Sequence, residues 1–289
     1  MKTLALRTIT GILFVAVIIG GIMWTPLSFA LLFAIISGLT TYEFCSLVNR
    51  HLGCQVNNVI ATTASVYLFF AFFFINYTNE GLIVFVPYLV PLAYLMIREL
   101  YVKNGNTLLN WAFTLMSQLY VALPFALLNI LSFINVSADM GVSSIYYNPI
   151  ITLALFIFIW IGDTAAYIFG SWLGKHRLFP RISPKKSWEG TISAFIIAAL
   201  ASQLVAALFP YFSSTPLANH LAWAGLALVV VGFGTWGDLV ESLFKRKLGI
   251  KDSGTILPGH GGLLDRFDSS LIAIPVALIY IYTLTQFTL

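Results

Sequence analysis

Long apolar stretches dominate this chain and leave few folds open to it. An α-helix needs roughly 17 to 25 residues to cross about 30 Å of hydrocarbon. Stretches of that kind fall at about 7–25, 27–48, 58–76, 81–97, 108–135, 149–173, 190–211, 221–244 and 267–287. The expected fold is all-α: a polytopic membrane protein of about nine transmembrane helices, forming a single integral membrane domain over 1–289. Composition agrees, since 59% apolar and 15% aromatic residues, with a mean hydropathy of +0.91, exceed what a soluble domain keeps in water. Lys2 and Arg7 ahead of an apolar run could pass for a secretory leader. Equally apolar segments continue to residue 287, so the first stretch reads as one more span. Cys45 and Cys54 have neither metal-ligand spacing nor a disulfide framework.

The connecting loops sort by charge, because Lys and Arg in short loops accumulate on the cytoplasmic side. With a cytoplasmic N-terminus, all 15 Lys and Arg fall on that side: Lys2 and Arg7, Arg50, Arg98 and Lys103, the loop from Lys175 to Lys186, and the loop from Lys245 to Arg266. The net charge of +4 then gives a cytoplasmic face suited to anionic headgroups or phosphates, although membrane topology alone would produce the same bias. One span, 108–135, carries Pro124 in its interior.

Acids within spans are more informative, since an ionised carboxylate in lipid costs a few kcal/mol and tends to face a cavity or a partner. At 1.5 Å per residue from the outer span ends, Asp163 lies about 20 Å deep and Asp238 about 25 Å deep, both toward the cytoplasmic side. Asp238, Glu241, Ser242 and Lys245 follow i, i+3, i+4, i+7 spacing and share one helical face. Glycines surround both acids, in "IGDTAAYIFGSWLG" and "VGFGTWGDLVES". Small residues permit close helix packing and also leave room for a cavity.

The loop after that face reads "KRKLGIKDSGTILPGHGGLLDRFD". Lys245, Arg246 and Lys251 form a basic cluster at a helix end, which a membrane anchor would also explain. The run from Pro258 to Gly262 cannot continue a helix, and Gly261 and Gly262 beside His260 would let backbone N–H groups approach a phosphate. Asp265 and Asp268 lie three apart at the start of the last span, where helix capping accounts readily for one of them. Together Asp238, Asp265 and Asp163 offer hard oxygen ligands, and the basic residues offer anion contacts. That combination suits Mg²⁺ with a polyphosphate. A second basic segment, "ISPKKSWEG", brings Lys185 and Lys186 before the seventh span.

The spacing S-x-x-K-R-x4-K-D-x-G-x3-P-x-H-G-G-x2-D-R-x-D is met without a gap from Ser242 to Asp268, through Asp252, Gly254, Pro258 and Arg266. In this signature, and in "GDTAAY" and "SPKKSWEG", the chain resembles the phosphatidate cytidylyltransferase (CDP-diacylglycerol synthase) family of bacterial type. The resemblance implies a Mg²⁺-dependent nucleotidyl transfer from CTP to phosphatidate, at the cytoplasmic face of the bacterial inner membrane. By the same carry-over, the metal falls to Asp238 and Asp265, with catalytic roles also for Lys245, Arg246, Lys251 and His260. Substrate contacts fall to Lys185, Lys186, Ser242, Gly261, Gly262 and Arg266. Asp163, Glu241, Asp252 and Asp268 are then supporting groups or ligands of a second cation. CTP and phosphatidate are the implied partners, with no nucleic acid; a homodimer is one assembly left open. Two other functions remain compatible with buried acids among glycine-rich spans: a CTP-dependent lipid kinase acting on a polyprenol-type alcohol, and an ion-coupled transporter.

Overall fold

The computed structural model describes residues 2–78, 81–103, 105–133, 146–213, 215–254, 256 and 261–288. Among them, seven helices are long and apolar enough to cross a membrane: Pro26–Leu52, Asn58–Thr78, Thr107–Phe133, Ile150–Leu173, Trp188–Leu208, Pro216–Lys247 and Leu264–Gln286. Two shorter apolar helical segments, Thr8–Trp24 and Leu82–Arg98, accompany them. Each of the nine expected stretches coincides with one of these segments. The protein is an all-α polytopic membrane protein, and its helices group into two compact units.

The first unit comprises residues 1–130 and 244–267. Helices α1 (Lys2–Trp24) and α2 (Pro26–Leu52) are separated by Thr25 alone. That residue is extended and its hydroxyl accepts the Ser28 N–H, while Ser28 Oγ accepts the Thr25 N–H, and Pro26 follows at the first helical position. This reciprocal cap restarts the helix where Pro26 could not have continued it. Helix α2 is tied to α3 (Asn58–Thr78) by Ser37 and Thr41, which both reach Ser65, at 2.7 and 2.9 Å. Buried hydroxyls of this kind hold helices together where lipid offers no competing hydrogen bond.

Helix α4 (Val86–Arg98) precedes a long segment built as α5 (Thr107–Met116), a π turn at Ser117–Ala122 and α6 (Leu123–Phe133). Pro124 has no N–H to give the carbonyl four residues back. The π turn just before it, in which the Leu123 N–H reaches Gln118 O, widens the helix at that point. Aromatic rings fill the interior: Phe44 stacks on Phe244 at 5.1 Å, and Phe125 meets Phe267 edge-on at 5.2 Å.

The second unit comprises residues 131–243 and 268–289. Helix α7 (Ile150–Leu173) and α8 (Trp188–Leu208) cross where Gly170 meets Gly190. A Cβ on Gly190 would lie 2.7 Å from the Ala166 carbonyl oxygen, so only glycine permits this approach. Ala194, Ala198, Ser202 and Ala206 continue the buried small-residue stripe of α8. Between the two helices, β1 (Arg177–Phe179) and β2 (Ser183–Ser187) form an antiparallel hairpin, pairing Arg177 with Ser187 and Phe179 with Ser183. Ser187 also caps α8, its side chain accepting the Gly190 N–H at 3.2 Å.

Helix α9 (Pro216–Lys247) has 32 residues, about 48 Å at 1.5 Å per residue, which is longer than the hydrocarbon core. Its polar turns near Asp238–Lys247 therefore extend beyond what an apolar span requires. Helix α10 (Leu264–Thr288) packs against it at Gly237, where a Cβ would sit 2.6 Å from the Asp268 carbonyl oxygen. The buried Trp223 anchors this unit between Phe158 and Phe212.

Candidate active site

In the first unit, the signature loop begins where α9 ends. Gly249 lies in the left-handed region at φ 71, and the Ile250 N–H returns to Lys245 O at 3.0 Å while the Gly249 N–H reaches Arg246 O at 3.2 Å. This is the geometry by which a glycine stops a helix and reverses the chain. The reversal brings Ser253 and Gly262 onto Asp265 in the first turn of α10. Asp265 Oδ2 accepts both N–H groups, at 2.8 and 2.9 Å, and Oδ1 accepts the Lys245 ammonium at 2.6 Å. Side-chain exposure of this pair is 11% for Lys245 and 8% for Asp265, low enough that water screens it weakly. Arg246, Lys251, Asp252 and Arg266 surround the loop as exposed charges, with Arg246 donating to Ile250 O at 3.2 Å. His260 lies outside the described residues.

The glycines of this loop serve close contacts that the sequence does not announce. Gly261 is in the left-handed region at φ 85, and the Gly262 N–H expected to be offered to a phosphate is engaged by Asp265. A Cβ on Gly262 would overlap the carboxylate of Glu43, and one on Gly254 would lie 2.6 Å from Glu43 Oε1. Glu43 stands on α2 and is buried. It accepts the Ser253 hydroxyl at Oε1 and the Leu263 N–H at Oε2, the latter at 2.7 Å. Sequence reasoning missed this residue, because its partners lie more than two hundred positions away. The available signal was an ionisable side chain within an apolar span, the same one that singled out Asp163 and Asp238.

In the second unit, the hairpin sets Lys186 on Asp238 of α9. Nζ lies 2.7 Å from Asp238 Oδ2 and also donates to Thr235 O at 3.2 Å. The other carboxylate oxygen accepts the Ser242 hydroxyl at 3.1 Å, one turn further along the polar face expected from the spacing. A cavity of about 300 Å³ opens beside them. Asp163 and Asp238 line it together with Lys185, Lys186, Gly162 and Gly234. The glycines near the acids therefore act in both expected ways: Gly234 leaves room at the cavity wall, while Gly162 admits Val231, 2.9 Å from where its Cβ would stand, and Gly237 admits α10. Asp268 lies within electrostatic reach of Asp238, Glu241 and Asp163, and its Oδ1 accepts the Ser269 N–H at 2.6 Å. Four of the predicted acids thus gather in this unit.

Residues 5–284 match the sequence model of the Cytidylyltransferase family. The chain belongs to that family. Among similar proteins is the phosphatidate cytidylyltransferase of Staphylococcus aureus strain COL, 41% identical over 174 residues. The phosphatidate cytidylyltransferases of Staphylococcus saprophyticus and Staphylococcus haemolyticus are 41% and 42% identical, each over 176 residues. In all three comparisons the similar region covers 60% of this chain and 60% of the relative, short of two thirds of the relatives' own length.

For this member of the cytidylyltransferase family, the donors suit a hard divalent cation that completes its shell elsewhere. Among the described residues no three His, Cys, Asp or Glu side chains cluster tightly enough to enclose a metal. Mg²⁺ does not require such a cage, since it takes one or two carboxylates and fills its remaining positions with water and substrate phosphate. Asp238, with Asp163 and Asp268 adding negative potential nearby, has that character. Both carboxylates are engaged, Asp238 by Lys186 and Ser242 and Asp265 by Lys245 and two amides, and Asp238 is the more exposed, at 30% against 8%.

Proposed function

We propose that this protein is a CTP:phosphatidate cytidylyltransferase, forming CDP-diacylglycerol and pyrophosphate. The observation that carries this conclusion is the cavity of the second unit. It sets the acids Asp163 and Asp238 opposite Lys185 and Lys186, among apolar helices of a chain in the cytidylyltransferase family. The name shared by the relatives supports the choice of substrate. Membrane embedding follows from such a substrate, since phosphatidate and its product keep both acyl chains in lipid while CTP arrives from water. The one-sided distribution of Lys and Arg supports a cytoplasmic site in the bacterial inner membrane.

In the proposed reaction a phosphate oxygen of phosphatidate attacks the α-phosphorus of CTP. The bond to the β-phosphate breaks, and its electron pair leaves with pyrophosphate. A phosphate monoester has a second pKa near 6, so at neutral pH it is largely a dianion and needs no strong general base. The residues therefore act by position and charge. Lys185 and Lys186 offset the charge of the incoming phosphate, and Lys245, Arg246, Lys251 and Arg266 offset that of the triphosphate. Asp238 is the principal carboxylate proposed for Mg²⁺. When bound, the ion neutralises phosphate oxygens and stabilises the leaving pyrophosphate.

Purified protein in mixed micelles should release pyrophosphate only when CTP and phosphatidate are both present. Release that needs CTP alone, or a lipid alcohol in place of phosphatidate, would overturn the assignment.

A further inference from the structure

We infer that Glu43 is a positioning residue for the signature loop, one that anchors it to α2 and so fixes where Asp265 and Lys245 stand. The role rests on the proposed function only in taking this loop as part of the catalytic machinery. The structural basis is independent of that function.

Glu43 is 6% exposed on an apolar helix, where an ionised carboxylate is costly unless its lone pairs are used. The loop uses them. The Ser253 hydroxyl donates to Oε1 and the Leu263 N–H donates to Oε2. The backbone N–H of the same Ser253 donates to Asp265 Oδ2, which also receives the Gly262 N–H. Ser253 thus bridges two acids, with its side chain on Glu43 and its main chain on Asp265. The Lys245 ammonium closes the set at Asp265 Oδ1.

The two glycines give a second, independent indication. Gly254 and Gly262 both lie against Glu43, with no space for a Cβ beside its carboxylate. Neither has φ in the left-handed region, unlike Gly249 and Gly261. Backbone conformation does not require glycine at either position; the Glu43 side chain does, joined at Gly262 by the Ser253 hydroxyl that it holds.

Hydrogen exchange in detergent or nanodiscs tests this directly, on the full chain. With Glu43→Ala, amide exchange in 251–264 should rise about tenfold or more, as expected for losing charge-assisted bonds to backbone N–H groups. Exchange in α3 and α8 should stay unchanged. Glu43→Gln keeps one acceptor oxygen and should fall between the two; it is also the variant to use if Glu43→Ala does not accumulate. Gly262→Ala should reproduce the loosening, and adding it to Glu43→Ala should cost less than it does alone, because the obstructing carboxylate is gone and only the rotatable Ser253 hydroxyl still meets that Cβ.

Kinetically, the same variants should raise KM for CTP or lower kcat, while KM for phosphatidate changes less than twofold. Unchanged exchange in 251–264, or a uniform rise through every helix in both Glu43 variants, would overturn the positioning role. So would a loosened loop with wild-type kinetics. A wild-type protein without cytidylyltransferase activity would instead remove the proposed function and leave the exchange result standing.

Discussion

Lys186 on the hairpin and Asp238 on α9 meet at 2.7 Å, joining two charge clusters separated by 52 positions in the chain. The basic segment before α8 is therefore part of the acidic site rather than a separate anchor. Both side chains are partly exposed, at 23% and 30%, so the pair is best judged by its effect on charge at the cavity.

That pairing separates two adjacent lysines. Lys186→Gln should lower kcat and also lower the Mg²⁺ concentration needed for half-maximal rate, since a cation competing for Asp238 is removed. Lys185 is exposed on the cavity wall, and Lys185→Gln should act mainly on phosphatidate, raising its KM severalfold. Kinetics varying CTP, Mg²⁺ and the phosphatidate surface fraction independently would decide this. Identical patterns for the two variants would show one shared anion pocket.

The two signature acids should fail differently when made neutral. Asp238→Asn should reduce kcat on the order of 10²-fold or more, the scale for losing a charge-stabilising group, with partial recovery at high Mg²⁺. Asp265→Asn should lose comparable activity without recovery, because it frees Lys245 and leaves the Ser253 and Gly262 amides with a poorer acceptor. A Mg²⁺ titration of each purified variant makes the comparison. Equal rescue of both would place Asp265 with the metal ligands.

Much of this was legible in the sequence, and the exceptions have physical causes. Apolar length located all nine helical segments, and i, i+4 spacing placed Ser242 over Asp238, where the hydrogen bond is found. The hairpin at Arg177–Ser187 was not legible, because its strands have three and five residues and lie in a basic loop without apolar alternation. The π turn at Ser117–Ala122 has no periodic signature of its own, although Pro124 marked the place. Glu43 escaped because loop and anchor meet only in three dimensions. Gly262, read as a phosphate contact, proved to be fitted to that carboxylate, while Gly261 lies against Asp265.

Gly237 should be among the least tolerant positions of α9. A methyl group there would lie 2.6 Å from the Asp268 carbonyl oxygen and 3.0 Å from that of Ser269, both backbone atoms that cannot rotate away. Gly237→Ala should destabilise the protein by about 1–3 kcal/mol, the usual cost of overpacking, and lower activity by shifting Asp268. Gly249→Ala should instead affect mainly the end of α9, through its positive φ. Thermal unfolding followed by size exclusion, with activity measured in parallel, would distinguish them.

Membrane sidedness is tested by single cysteines. Substitutions at Lys103, Leu178 and Ile250 should react with impermeant thiol reagents only from the cytoplasmic side, and those at Gly81 and Tyr146 only from outside. Background should be low, since Cys45 and Cys54 are both buried and burial pushes the Cys54 thiol above its ordinary range. Labelling at position 250 from the outside would place the signature loop on the wrong side of the membrane for cytoplasmic CTP.

Nucleotidyl transfer onto phosphatidate is tested most directly by following the label of CTP into lipid. CTP carrying radiolabel on either the α- or the γ-phosphate would be incubated with purified protein, Mg²⁺ and phosphatidate, and the lipid extract counted. Attack at the α-phosphorus predicts α-label in the lipid and γ-label in released pyrophosphate. Appearance of the γ-label in lipid, with the α-label left in water as CDP, would mean phosphoryl transfer and would contradict the account.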